Sequence, residues 1–194
     1  MLFNYSSLLL GKRTNYKING FNYKVDPKTA KESAETISKL NEQAIKIIGA
    51  TRDFIEKRGD ELSDDEYKLL VDLYNNMRKN YNPDGLGESV VNSFDINTTS
   101  YTTNKGETTC ICLKDDSRKY NISLLTVILV HELVHTGCSS WSLNKHNSEF
   151  WNKYKLLTMV VREAKIIKIS ELPTYPINYC GRVVIPINEF ENFK

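Results

Sequence analysis

The chain has 194 residues, 40% apolar and 26% charged, with a net charge of +2. That is enough for one domain with its own hydrophobic core, in the composition range of ordinary globular proteins. Charges of both signs are interleaved, so no basic or acidic tail points to nucleic acid or a membrane surface, and DNA association has no support from charge. No stretch approaches the roughly 18–20 apolar residues of a membrane span.

Residues 1–25 read as a leader with turn signals at Gly11 and Gly20. Its apolar run, Leu8 to Leu10, is followed by Lys12-Arg13. A signal peptide carries its positive charge before the apolar region instead. The expectation is an intracellular chain, cytoplasmic or nuclear, with its four cysteines reduced. A single domain should then span 26–194.

Asp26-Pro27 combines a good N-cap with proline at the first helical position. Ala34, Ile37, Leu40, Ala44 and Ile47 recur at helical spacing, and Gly59 ends the run, with Gly49 a place where it can bend. Ser63-Asp64-Asp65-Glu66 fits a capping box that opens a second helix, stopped at Asn82-Pro83-Asp84-Gly85. Residues 26–82 are therefore a helical N-terminal part. Residues 86–106, rich in Asn, Ser and Thr, look like strand and loop. Residues 107–114 are β-like, and Asp115-Asp116-Ser117 is a turn. From Ile122 to His135 runs an apolar helix, the expected central element. Another helix is expected over 147–165, and a short β-like run over 182–185. The fold class is α+β, mostly helical with a small central sheet and a catalytic core over 95–185.

The chemistry sits at the end of the apolar helix, in His131-Glu132-Leu133-Val134-His135. Positions i and i+4 share a helical face, so both imidazoles can reach one ion. Zinc favours imidazole nitrogen in four-coordinate geometry. Glu132, next to the first ligand, can take a proton from a water that the metal polarises and pass it to a leaving amine. The bland reading is a pair of satisfied core histidines. Against it stands the cost of burying this His-Glu-x-x-His set on an apolar helix with nothing to neutralise Glu132.

The third ligand decides the subclass. A metzincin would have Gly at 138 and His at 141, where this chain has Cys138 and Trp141. A thermolysin-like site would take a glutamate from the next helix, and Glu163 is the candidate. The remaining histidine, His146, is the competing choice and the preferred one, since neutral imidazole is the commonest metal ligand. The segment from Thr136 to Lys145 is long enough to fold the chain back.

His-Glu-Leu-x-His, followed by a histidine and x-x-x-Phe-Trp at Phe150-Trp151, resembles the WLM and SprT-like minimal zinc metallopeptidases. The Thr109-to-Lys114 strand, the segments Thr99-Ser100-Tyr101 and Asn104-Lys105-Gly106, and Tyr179-Cys180-Gly181 look like WLM-type proteins of large DNA viruses. The resemblance covers about residues 95–185. Its His135-to-His146 spacing is longer than in compact members. It implies a zincin-like fold with Zn2+ on His131, His135 and His146, an active-site helix and an edge strand. Main-chain pairing with an extended peptide substrate would make 107–113 the substrate shelf.

Tyr179 is a candidate oxyanion donor because Cys180-Gly181 lets the chain approach closely, with Tyr101 and Tyr120 as rivals. Cys110, Cys112, Cys138 and Cys180 lack paired C-x-x-C knuckles, so buried free thiols are preferred over a four-cysteine zinc site. Trp141 and Trp151 read as core or lid packing. The leading function is a zinc peptidase acting on protein or peptide. The alternatives are a non-catalytic structural or virion protein that keeps the fold, and a DNA-associated protease of crosslink repair.

Overall fold

Asn19 and Gly20, both at positive φ (50° and 86°), form the tight turn of a β-hairpin. Asn-Gly is the preferred pair for such a turn because both positions must be left-handed. The hairpin joins β1 (Thr14–Ile18) to β2 (Phe21–Val25), with Ile18 opposite Phe21 and Thr14 opposite Val25. Residues 13–25 are thus part of the fold rather than a leader. In this computed structural model the described residues are 13–90, 99–115, 118–138 and 146–186. Leu8 to Leu10, Gly11, Asp116, Ser117, Trp141 and the 139–145 part of the expected fold-back loop lie outside them.

Asp26 accepts a hydrogen bond from the Lys28 amide and caps a 3-10 turn at Pro27–Thr29, from which α1 (Ala30–Arg58) continues unbroken through Gly49. The capping box at Ser63 and Glu66 is formed at the start of α2 (Asp64–Asn80). Then come β3 (Leu86–Glu88), β4 (Tyr101–Thr103) and β5 (Thr108–Ile111). α3 (Ile122–Gly137) and α4 (Ser148–Glu163) follow, and then a separate antiparallel hairpin, β6 (Ile177–Tyr179) with β7 (Arg182–Val184).

The molecule is α+β: among the described residues, four α-helices pack on a small mixed sheet. The sheet order is β1-β2-β3-β5-β4, with β2, β3 and β5 parallel and β1 and β4 antiparallel at the two edges. β5 therefore lies inside the sheet, between β3 and β4. The expected substrate shelf over 107–113 is not an edge; that position belongs to β4. Strand order is a long-range property, and the alternation within one strand does not reveal it.

α3 is buried on nearly every side, from Ser123 to Gly137, as an all-round apolar helix must be. α1, α2 and α4 all pack on it. One hydrophobic core joins Tyr23 and Val25 of the sheet, Ile37 and Leu40 of α1, Leu70 and Leu73 of α2, and Leu125 and Leu129 of α3. Among the described residues no helix is long and apolar enough to cross a membrane.

The cysteines differ from the all-thiol expectation. Cys112 and Cys180 form a disulfide, whereas Cys110 and Cys138 are free. The bond fastens the end of β5 to the β6–β7 hairpin.

Candidate metal centre

Two helix starts and one helix end build the site. Asn121 caps α3 by accepting from the Leu124 amide at 2.8 Å, and the last turns of α3 carry His131 and His135. Asn147 caps α4 by accepting from the Phe150 amide at 2.9 Å, which sets His146 just before that helix. His131 and His135, one turn apart, have ring centroids 5.0 Å apart. His146 Nε2 lies 3.0 Å from His131 Nε2. One ligand atom from each of the three rings falls within 4.8 Å of the others, close enough to hold a metal ion. Tetrahedral ligands about 2.0–2.1 Å from zinc are about 3.3 Å apart, inside this range.

The electrostatics fit a cation. Burial, then the positive potential of His135 and His146, lowers the His131 pKa to about 3. Burial, then His146, lowers His135 to about 4. His146 is lowered by burial and then by the charge of Arg182. All three rings are therefore neutral at pH 7, the form that ligates metal. Phe150 backs the cluster, its ring 4.5 Å from those of His135 and His146 and 4.9 Å from that of His131. Trp151, 45% exposed, stands at the solvent side with its ring 5.5 Å from His146.

Glu132 is 4% exposed, and burial raises its pKa to about 7 against the opposing effect of a hydrogen bond from Thr102. That bond, Thr102 Oγ1 to Glu132 Oε2, is 2.7 Å. Thr102 sits opposite Thr109 in the β4–β5 register, and the two hydroxyls are 3.3 Å apart. Edge strand β4 thus holds the carboxylate on α3.

Sequence reasoning names the three histidines and Glu132, and the fold brings the histidines together. Glu163, the rival ligand, is at the far end of α4 and pairs with Arg58 of α1. Among the described residues the three histidines form the one group of metal-ligating side chains, so the four-cysteine alternative has no counterpart. Tyr179 is buried and strongly raised in pKa by that burial. Its hydroxyl donates to the Cys112 carbonyl at 2.8 Å and lies 2.9 Å from Ser100 Oγ. Tyr120 donates to Asp115 at 2.7 Å. On Tyr101 of β4, burial and the neighbouring Cys110 raise the pKa to about 12. Thr102 escaped the sequence reading; the strand-like run Thr99-Ser100-Tyr101-Thr102-Thr103, rich in threonine, was its signal. Arg182 also escaped, its charge bearing on both His131 and His146. No family model, curated protein or solved structure matches this chain.

Proposed function

We propose that the protein is a zinc-dependent metallopeptidase of zincin-like fold, akin to the WLM and SprT-like enzymes, with zinc on His131, His135 and His146. The observation that carries this reading is the meeting of three neutral imidazoles at the end of the helix that also bears Glu132. Zinc in such a site supplies a Lewis acid for a peptide carbonyl and for the attacking water. Glu132, beside the first of the three histidines on α3, would take the proton of that water and return it to the departing amine nitrogen. Thr102 fixes Oε2, so the carboxylate keeps one orientation through both transfers. An extended substrate adds to β4, the sheet edge that carries Thr102, by main-chain pairing. Tyr179 acts as a support in this scheme, since its hydroxyl ties the end of β5 to Ser100 ahead of β4.

The test is zinc stoichiometry together with peptide cleavage in wild type, Glu132→Gln and His146→Ala. We expect about one zinc per wild-type chain, full zinc in Glu132→Gln with cleavage reduced about 100-fold or more, and weakened zinc in His146→Ala. Equal cleavage by Glu132→Gln would remove the mechanism. Zinc held normally by His146→Ala would remove the three-histidine site.

A further inference from the structure

Lysine is almost never fully buried unless it is paired. Lys153 of α4 has no exposed side-chain surface. Its ammonium has three donors, and three acceptors meet it. Asp72 of α2 forms an ion pair, Glu149 of α4 another at 2.8 Å, and the Gly137 carbonyl accepts at 3.0 Å. Gly137 is the last residue of α3, two beyond His135. Glu149 is three residues beyond His146, in the first turn of α4. One charge therefore grips both ligand-bearing segments immediately after their histidines.

Neighbouring amides extend the grip. Asn76 of α2 donates to Asp72 at 3.1 Å and to the Gly137 carbonyl at 3.3 Å, and Asn80 donates to the Thr136 carbonyl at 3.3 Å. The carbonyls that end a helix lack partners within it. Here side chains one turn apart on α2, plus Lys153, satisfy those of α3. An ammonium out of water is costly without its acceptors, so the acceptors are held where Lys153 needs them.

We propose that Lys153 is a positioning residue for the metal site: it fixes His146 relative to His131 and His135, so that the three imidazoles converge before metal arrives. The proposal rests on the metal-centre reading and is independent of peptidase activity. Partners that orient ligands from outside the coordination sphere typically change metal affinity by roughly 10–100-fold when removed.

The experiment is zinc affinity of the full chain by chelator competition, with the visible spectrum of the cobalt-loaded protein as a report on ligand geometry. Lys153→Met keeps the side-chain length and removes the charge. It is expected to fold, to bind zinc at least about tenfold more weakly, and to alter the cobalt spectrum. Glu149→Gln, which leaves Lys153 in place, is the second variant should Lys153→Met fail to fold, and it too is expected to weaken zinc. Tyr23→Phe, which removes the 3.0 Å bond that Asn41 of α1 donates to β2, is expected to lower the melting temperature with zinc affinity unchanged. Wild-type zinc affinity in a folded Lys153→Met, or in Glu149→Gln where that variant replaces it, overturns the role of Lys153 alone. Absence of zinc binding by the wild type overturns the metal centre, and the positioning role with it.

Discussion

Thr102 on β4 donates a 2.7 Å hydrogen bond to Glu132 on α3, and the Thr109 hydroxyl stands 3.3 Å behind it. With its own proton committed to the carboxylate, Thr102 accepts from Thr109. The edge of the sheet and the Glu132 carboxyl on the helix are thus one hydrogen-bonded unit. A hydrogen bond to a charged group contributes about 1.5–3 kcal/mol, or roughly 10–100-fold in rate when its effect is confined to the transition state. On the proposed peptidase mechanism, Thr102→Val is expected to lower kcat by that factor with zinc content unchanged, and Thr102→Ser to remain within a few-fold of wild type. Steady-state kinetics on an extended peptide check this. A Thr102→Val variant with the wild-type kcat would show that Glu132 needs no holder.

Helix α3 ends against α2 at a point where a side chain has no room. A Cβ on Gly137 would lie 2.2 Å from Leu73 Cδ1 and 3.2 Å from Met77 Cγ. Gly137→Ala is therefore expected to cost about 1–3 kcal/mol, the usual range for overpacking a filled core. In the double variant Leu73→Ala, Gly137→Ala the two losses should sum to less than their separate values, because the removed Leu73 methyls make the room. Denaturant unfolding of the four proteins measures the coupling. Simple additivity would mean that the helices separate at this point without resistance.

Local chemistry explains which parts of this architecture were legible in the sequence. The spacing of His131, Glu132 and His135 fixes their relation on any helix, and the capping box at Ser63 is formed as its residues dictate. His146 could be chosen over Glu163 on ligand chemistry alone. Features that depend on distant parts of the chain were hidden. β1 and β2 carry polar residues on one face and read as a leader, although Asn19-Gly20 marks their turn. β5 resembles an edge strand until β4, itself only three residues long, pairs outside it. Lys153 looks like an ordinary surface charge until Asp72, from 81 residues earlier, is brought against it.

Acid should act on the metal-free protein through the same histidines. Burial sets His131 near 3 and His135 near 4, against an ordinary value of 6.5. As pH falls below 6.5 the unfolded chain takes up protons there that the folded chain refuses, so stability falls. Glu132 has the opposite sign. Its pKa of about 7 in the fold exceeds the ordinary 4.5, so its contribution is present at low pH and is lost as pH rises through that interval. Two imidazoles outweigh one carboxyl. The melting temperature of metal-free protein is expected to drop from pH 6.5 to 4, and Glu132→Gln to steepen the drop by removing the opposing group. Calorimetry in matched buffers reads both slopes. A melting temperature that holds or rises on acidification would contradict neutral, buried rings.

The disulfide gives the remaining prediction. Cys112 and Cys180 are 68 residues apart in sequence, so their bond closes a long loop in the unfolded chain. Chain entropy for such a loop amounts to about 4 kcal/mol, and measured effects are typically about 2–4. The bond also sits beside Tyr179, whose hydroxyl reaches the Cys112 carbonyl, so bond and hydrogen bond hold the same hairpin against β5. Cys180→Ser is expected to lose stability in that range. Alkylation of denatured, unreduced protein should label two thiols per chain, Cys110 and Cys138, and four after reduction. Mass spectrometry counts them directly. Four labelled thiols before reduction would mean that the hairpin is held by packing and by hydrogen bonds such as those of Tyr179 and Tyr120, and Cys180→Ser would then leave stability nearly unchanged.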